Sequence, residues 1–117
     1  VNANEVIAAH RAWKETLRMA MATRERLDLV KISSDNSCQF GEWLYSAECT
    51  TQFGHLPEYS QCLADHAAFH RAAGKVAEAI NAGDLLNADK MMASGTHYAH
   101  TSETLSISVK AMFHTVE

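Results

Sequence analysis

The sequence predicts an all-α fold, a helical bundle of three long helices plus one short helix that carries a cysteine motif, four-helix-bundle-like in outline. Apolar residues recur at spacings that alternate between three and four, the signature of helices that each bury one stripe. One proline (Pro57) and five glycines leave few places where a helix must stop. Alanine, leucine, methionine and glutamate, all good helix formers, recur throughout. With 117 residues, 47% of them hydrophobic, the chain is sized for one core, so residues 1–117 read as one domain.

The first long helix is expected from about Asn4 to Lys31. Its seam reads Val6, His10, Trp13, Leu17 and Ala20, then Leu27 after an interruption at Arg24. The run Ser33–Ser37 is a polar break, and Ser37 can cap a short helix from Cys38 to about Ser46. Phe40, Trp43 and Leu44 on that helix would plug one end of the bundle. Gly41 costs helix stability, so its use should be close approach to a neighbouring helix. Residues 47–56 read as a loop. The next long helix opens at Pro57, a residue suited to the first helical position, and ends near Asn81 with Gly83 beyond it. Its seam is Tyr59, Leu63, His66, His70, Ala73, Ala77 and Ile80. Asp84 can cap the last helix, which runs to about Thr115 with a kink at Ser94-Gly95. The short connection makes it an antiparallel neighbour of the helix before it. Its small residues Gly95, Ala99, Ser102 and Ser106 would let another helix come close.

A formal charge of −4 provides no electrostatic footprint for nucleic acid or anionic lipid. Three cysteines are too few, and odd in number, for a disulfide framework, which favours a reducing compartment. No signal peptide and no apolar run of membrane-spanning length is present. A start at Val1, with helix expected at both ends, suggests a piece of a larger signalling protein, although removal of an initiating Met would look the same.

His66 and His70 stand one turn apart where the seam demands core residues, and His10 stands likewise on the first helix. A buried imidazole without a partner costs about 1–3 kcal/mol. These seams offer few hydroxyls or carboxylates, and one Zn²⁺ would satisfy all three rings. Cys38 is the natural fourth ligand, because the amide dipoles of a helix start favour its thiolate. The alternative is that Cys38 is a small buried hydrophobe. Cys62, one turn before His66, is a rival ligand, and Cys49 reads as a bystander in a loop. Two histidines four apart also arise by chance in a chain with seven, and could be satisfied or exposed without metal. Asp65, Glu103 and Ser102 are candidates to orient the imidazoles. His97 and His100 could form a second site but read better as an exposed pair. Trp13 and Trp43 read as core anchors, and Met91-Met92 as packing.

The motifs His10-Arg-Ala-Trp13, Cys38-Gln-Phe40-Gly41-Glu-Trp43-Leu44 and His66-Ala-Ala-Phe69-His70 occur in that order. Together they resemble the chemoreceptor zinc-binding (CZB) domain family across nearly the whole chain. The resemblance implies a cytosolic regulatory module attached to a chemoreceptor or diguanylate cyclase, and often a homodimer. It implies zinc held by His10, Cys38, His66 and His70. It also implies a sensor of zinc, or of oxidants such as hypochlorous acid that act on the zinc-bound Cys38.

Two other functions compete with that one. A zinc hydrolase needs an open coordination position and a general base, and four protein ligands leave no such position. A diiron centre needs bridging carboxylates, which the histidine seams lack. A plain structural or dimerisation bundle, with histidines that bind nothing, is the other rival. The sensor reading therefore carries no catalytic residues.

Overall fold

A computed structural model describes residues 2–115. Those residues form eight helical segments in chain order: α1 (Ala3–Arg11), α2 (Trp13–Thr23), α3 (Leu29–Ser33), α4 (Gln39–Leu44), α5 (Ala47–Phe53), α6 (Pro57–Asn81), α7 (Leu85–Met91) and α8 (His97–His114). The backbone ladder continues across Ala12, whose N–H bonds Ala8 O at 3.0 Å and whose carbonyl accepts from Thr16 at 3.1 Å. Helices α1 and α2 therefore act as one rod.

That rod stops earlier than its seam suggests. Arg24 adopts a left-handed conformation (φ 60°) and closes α2. The chain then runs without helix over residues 25–28 before Asp28 caps α3 by accepting from Lys31 N–H at 3.1 Å. The stretch is held by Asn81, whose side chain accepts from Leu27 N–H at 2.8 Å and donates to Leu27 O at 2.9 Å. An Asn81→Ala variant is expected to lose about 1–3 kcal/mol, because both polar groups of a part-buried peptide lose their partner. Thermal unfolding followed by circular dichroism checks this, and an unchanged midpoint would refute it.

The last predicted helix is likewise two. Gly95 sits at φ +82° and Thr96 caps a new helix by accepting from Ala99 N–H at 3.3 Å, so the expected kink is a full break between α7 and α8. Asp84 occupies the cap position of α7 without a side-chain bond. Residues 47–53, expected as loop, form α5. Ser46 caps it through Cys49 N–H at 3.2 Å, and Cys49 and Phe53, four apart, are both buried. The α6 boundaries are those read from the sequence, and all its seam residues but the half-buried Leu63 are buried.

Helix α6 is the central element, packed against α8 and α3, while α1 lies against α8. Asp65 meets Ser108 and Phe69 meets Tyr98, so α6 and α8 run antiparallel. Leu17, Val76, Ala77, Val109 and Met112 are within the solvent-free core. Trp43 stacks on Phe113 at 5.5 Å and on Phe40 at 6.0 Å, with Phe53 at 5.8 Å from its ring. The short helix thus plugs one end of the bundle, as its apolar residues predict.

A candidate metal centre

Three elements converge on one point in the core. The end of α1 brings His10, the middle of α6 brings His66 and His70, and the residue before α4 brings Cys38. One donor atom from each lies within 4.8 Å of all the others. His66 Nε2 is 3.1 Å from His10 Nε2, 3.0 Å from His70 Nε2 and 3.3 Å from Cys38 Sγ. Cys38 Sγ lies 3.9 Å from His10 Nε2. A tetrahedral zinc ion would set nitrogen–nitrogen edges of about 3.3 Å and nitrogen–sulfur edges of about 3.6 Å, given its ordinary bond lengths. The four donors fit that shape and that ion's preference for imidazole and thiolate.

The backbone decides which ring nitrogens face inward. His10 Nδ1 donates to Val6 O at 2.8 Å, and His70 Nδ1 donates to Ile32 O at 2.9 Å. A carbonyl only accepts, so each Nδ1 carries the hydrogen and each Nε2 turns a lone pair toward the centre. His66 Nδ1 is buried without any hydrogen-bond partner. A proton on His66 could satisfy one neighbouring lone pair and leave the other unmet. A cation among them meets all three inward Nε2 lone pairs at once, and leaves the buried His66 Nδ1 without a partner. Phe40 and Phe69 meet these rings edge-on at 5.1–5.8 Å, which walls the centre in hydrocarbon.

Burial sets the electrostatics. His10, His66 and His70 are 5%, 0% and 1% exposed. Lost solvation holds all three below the ordinary histidine range, His66 down to about 2, and neighbouring imidazoles lower His10 and His66 further. The carbonyls of Val6 and Ile32 oppose the shift at His10 and His70.

Cys38, not Ser37, is the N-cap of α4, and its sulfur accepts from Gly41 N–H at 3.3 Å. Amides of the helix start do favour the thiolate, but burial outweighs them and raises the Cys38 thiol above its usual value. The helix start therefore favours the Cys38 thiolate without being enough to secure it. Thiolate at neutral pH needs a cation beside it.

Two further expectations change. Gly41 does not face a helix: a Cβ there would lie 1.9 Å from Asp35 O, so it admits the 35–36 backbone. The orienting partners are the carbonyls of Val6 and Ile32, which no side-chain pattern announces, and not the proposed side chains. Asp65 accepts from Gln61 at 3.0 Å and bonds Ser108, while Glu103 and Ser102 line a separate cleft. Cys62 and Cys49 are fully buried and lie outside the donor group. Cys49 sits on α5 and not in a loop. His97 and His100 are exposed on α8 and belong to no such group among the described residues.

Acid should unmake this centre. A histidine whose folded pKa is depressed contributes stability above its unfolded value of 6.5 and loses it as pH falls from there toward the folded value. Each of the three adds up to about 1.4 kcal/mol of destabilisation per pH unit in that window. Metal-free protein is expected to unfold progressively more easily between pH 6.5 and 5. A midpoint that stays flat across that range, in urea titrations at fixed ionic strength, would contradict it.

The fold and the donor set define a class: an all-helical metal-binding domain whose centre joins three imidazoles and one thiol. The chain belongs to the chemoreceptor zinc-binding domain family, which it matches over residues 10–77, more than half of its length. All four donors fall inside that stretch. No curated protein matches the chain, and no solved structure does. The family is regulatory and not catalytic, and its members are attached to signalling output domains. Among the described residues, no helix is long and apolar enough to cross a membrane.

Proposed function

We propose that this chain is a cytoplasmic sensor domain that holds one Zn²⁺ through His10, Cys38, His66 and His70 and controls an attached output domain of the chemoreceptor or diguanylate cyclase kind. The convergence of four donors, two of them with tautomers set by backbone carbonyls, carries the reading. Residues 1–117 act as one regulatory unit within a larger signalling protein and pair as a homodimer. The unit has no catalytic role, because four protein ligands leave no coordination position for a substrate.

When bound, zinc keeps the Cys38 sulfur as a thiolate. Cys38 is also the redox-reactive group, since the thiolate and not the thiol is the oxidisable form. Oxidation to sulfenic acid weakens the sulfur as a donor. Cys38 then leaves the imidazoles, and α4 moves with its aromatic plug of Phe40 and Trp43. That plug touches Phe113 near the end of α8, so the redox state of one sulfur reaches the end of the bundle.

Two measurements test this. Protein purified without added metal should contain about one zinc per chain, and Cys38→Ser should lower zinc affinity at least about tenfold, as loss of a ligand does. Sulfenic acid trapping after a low dose of hypochlorous acid should label Cys38. Zinc present with no label at Cys38 would leave zinc itself as the stimulus. Metal-free protein of native stability would return the chain to the structural class.

A further inference from the structure

The four donors differ in how they meet the outside. His66 and His70 are sealed, whereas Cys38 is half-buried. A cleft of about 210 Å³ opens between α1 and the start of α4, and Cys38 and His10 are the donors that line it. Its remaining wall is mostly hydrocarbon, from Ala9, Trp13 and Phe40 among others. The charged side chain along it is the carboxylate of Glu5, and no lysine or arginine faces that carboxylate across the cleft.

We propose that this cleft is the entrance by which small uncharged thiol-reactive molecules reach Cys38, and that Glu5 at its wall holds anionic ones back. The proposal rests on the reading of Cys38 as a reactive zinc thiolate. The cleft is large enough for several water-sized groups, and its apolar wall asks an entering molecule to shed its hydration. An anion bears a far larger desolvation cost than a neutral molecule, and it meets a like charge in Glu5 with no lysine or arginine on the cleft wall to offset it, before it reaches the net positive zinc–thiolate centre behind Cys38. An oxidant in its neutral acid form therefore enters, and its conjugate base does not. Glu5 does not touch the sulfur and acts only on what approaches it.

Methanethiosulfonates test this with the whole zinc-loaded domain. The Cys38 thiolate attacks the sulfenyl sulfur, a new disulfide forms, and methanesulfinate leaves with the electron pair. Mass spectrometry locates the adduct and a chromogenic zinc chelator reports release. The neutral methyl reagent should modify Cys38 faster than the anionic sulfonatoethyl reagent. Glu5→Gln should raise the anionic rate about two- to threefold at low ionic strength, an advantage that salt removes, and leave the neutral rate unchanged. Ala9→Trp should fill the cleft and slow the neutral reagent at least about tenfold at unchanged zinc content. Gln39→Trp, on the facing wall, replaces it if Ala9→Trp does not fold. Zinc-loaded filled variants that react at the parent rate would overturn the entrance, and equal rates for the two reagents with no Glu5→Gln effect would overturn the selection. Protein that contains no zinc would instead overturn the metal–thiolate reading beneath it.

Discussion

Removal of zinc by a strong chelator is expected to lower the thermal midpoint of this domain by roughly 15 °C while most of its helix remains. A ligand present at about a thousand times its dissociation constant stabilises the folded state by about 4 kcal/mol. For a chain of this length each kcal/mol moves the midpoint by about 3–6 °C. The helices should persist because much of the core is apolar packing by residues that are not donors: Leu17, Ala77, Val109 and Met112 are all buried. This differs from a small zinc finger, where metal binding and folding are one event. Without the ion, the inward ring nitrogens at 3.0–3.1 Å stay crowded together with only the His66 ring proton and the Cys38 thiol proton to share among them. That local repulsion should appear as faster hydrogen exchange around Cys38 and Ile32 before global unfolding. Zinc should restore the midpoint and magnesium should not, since a hard cation prefers oxygen ligands. An unchanged midpoint after verified loss of metal would mean that the four side chains are packing residues.

The expected helix loss is small because the fold and the centre come from different parts of the sequence signal. Periodicity exposed both α6 and the inward histidines, since a ring on an apolar seam has few places to go. It could not locate breaks set by single residues. Arg24 closes a helix at φ 60° although arginine is a good helix former, and nothing in its chemistry marks it apart from the seam interruption there. Ser94-Gly95 is legible as a weak point, but a kink and a complete break share the same residues. The α5 helix lacks length for a periodic pattern, and only Ser46 with the Cys49–Phe53 pair hints at it. At the centre, the four donors that the fold brings together were legible from residue type and position. The supports were not, because Val6 and Ile32 contribute main-chain oxygens and any residue has one.

Gly41→Ala is expected to be the most damaging single-atom change outside the donors themselves. A Cβ at Gly41 would stand 1.9 Å from Asp35 O, 2.9 Å from Asp35 C and 3.2 Å from Asn36 Cα. Each obstacle is backbone, so no side chain can rotate away. The 35–36 segment is also short of slack. On one side Ile32 O holds His70 at 2.9 Å, and on the other Cys38 starts α4. The side chain of Asp35 is itself bonded to the Tyr45 hydroxyl. If the segment lifts, it pulls on the carbonyl that orients His70. If α4 lifts, it takes the Cys38 sulfur from the imidazoles and strains the Gly41 N–H bond to it. Overpacking of this kind costs about 1–3 kcal/mol, with the upper end expected here, and loss of an orienting contact lowers metal affinity about 10–100-fold. Gly83→Ala separates these two effects. Gly83 is needed for a different reason, its positive φ of 80°, and nothing lies within 4 Å of the added carbon. It should lose about 1 kcal/mol and keep its zinc affinity. Competition with a zinc indicator, beside thermal melts of both variants, reads the difference. If Gly41→Ala binds zinc as the parent does and only melts earlier, the 35–36 backbone is packed against the centre without positioning it.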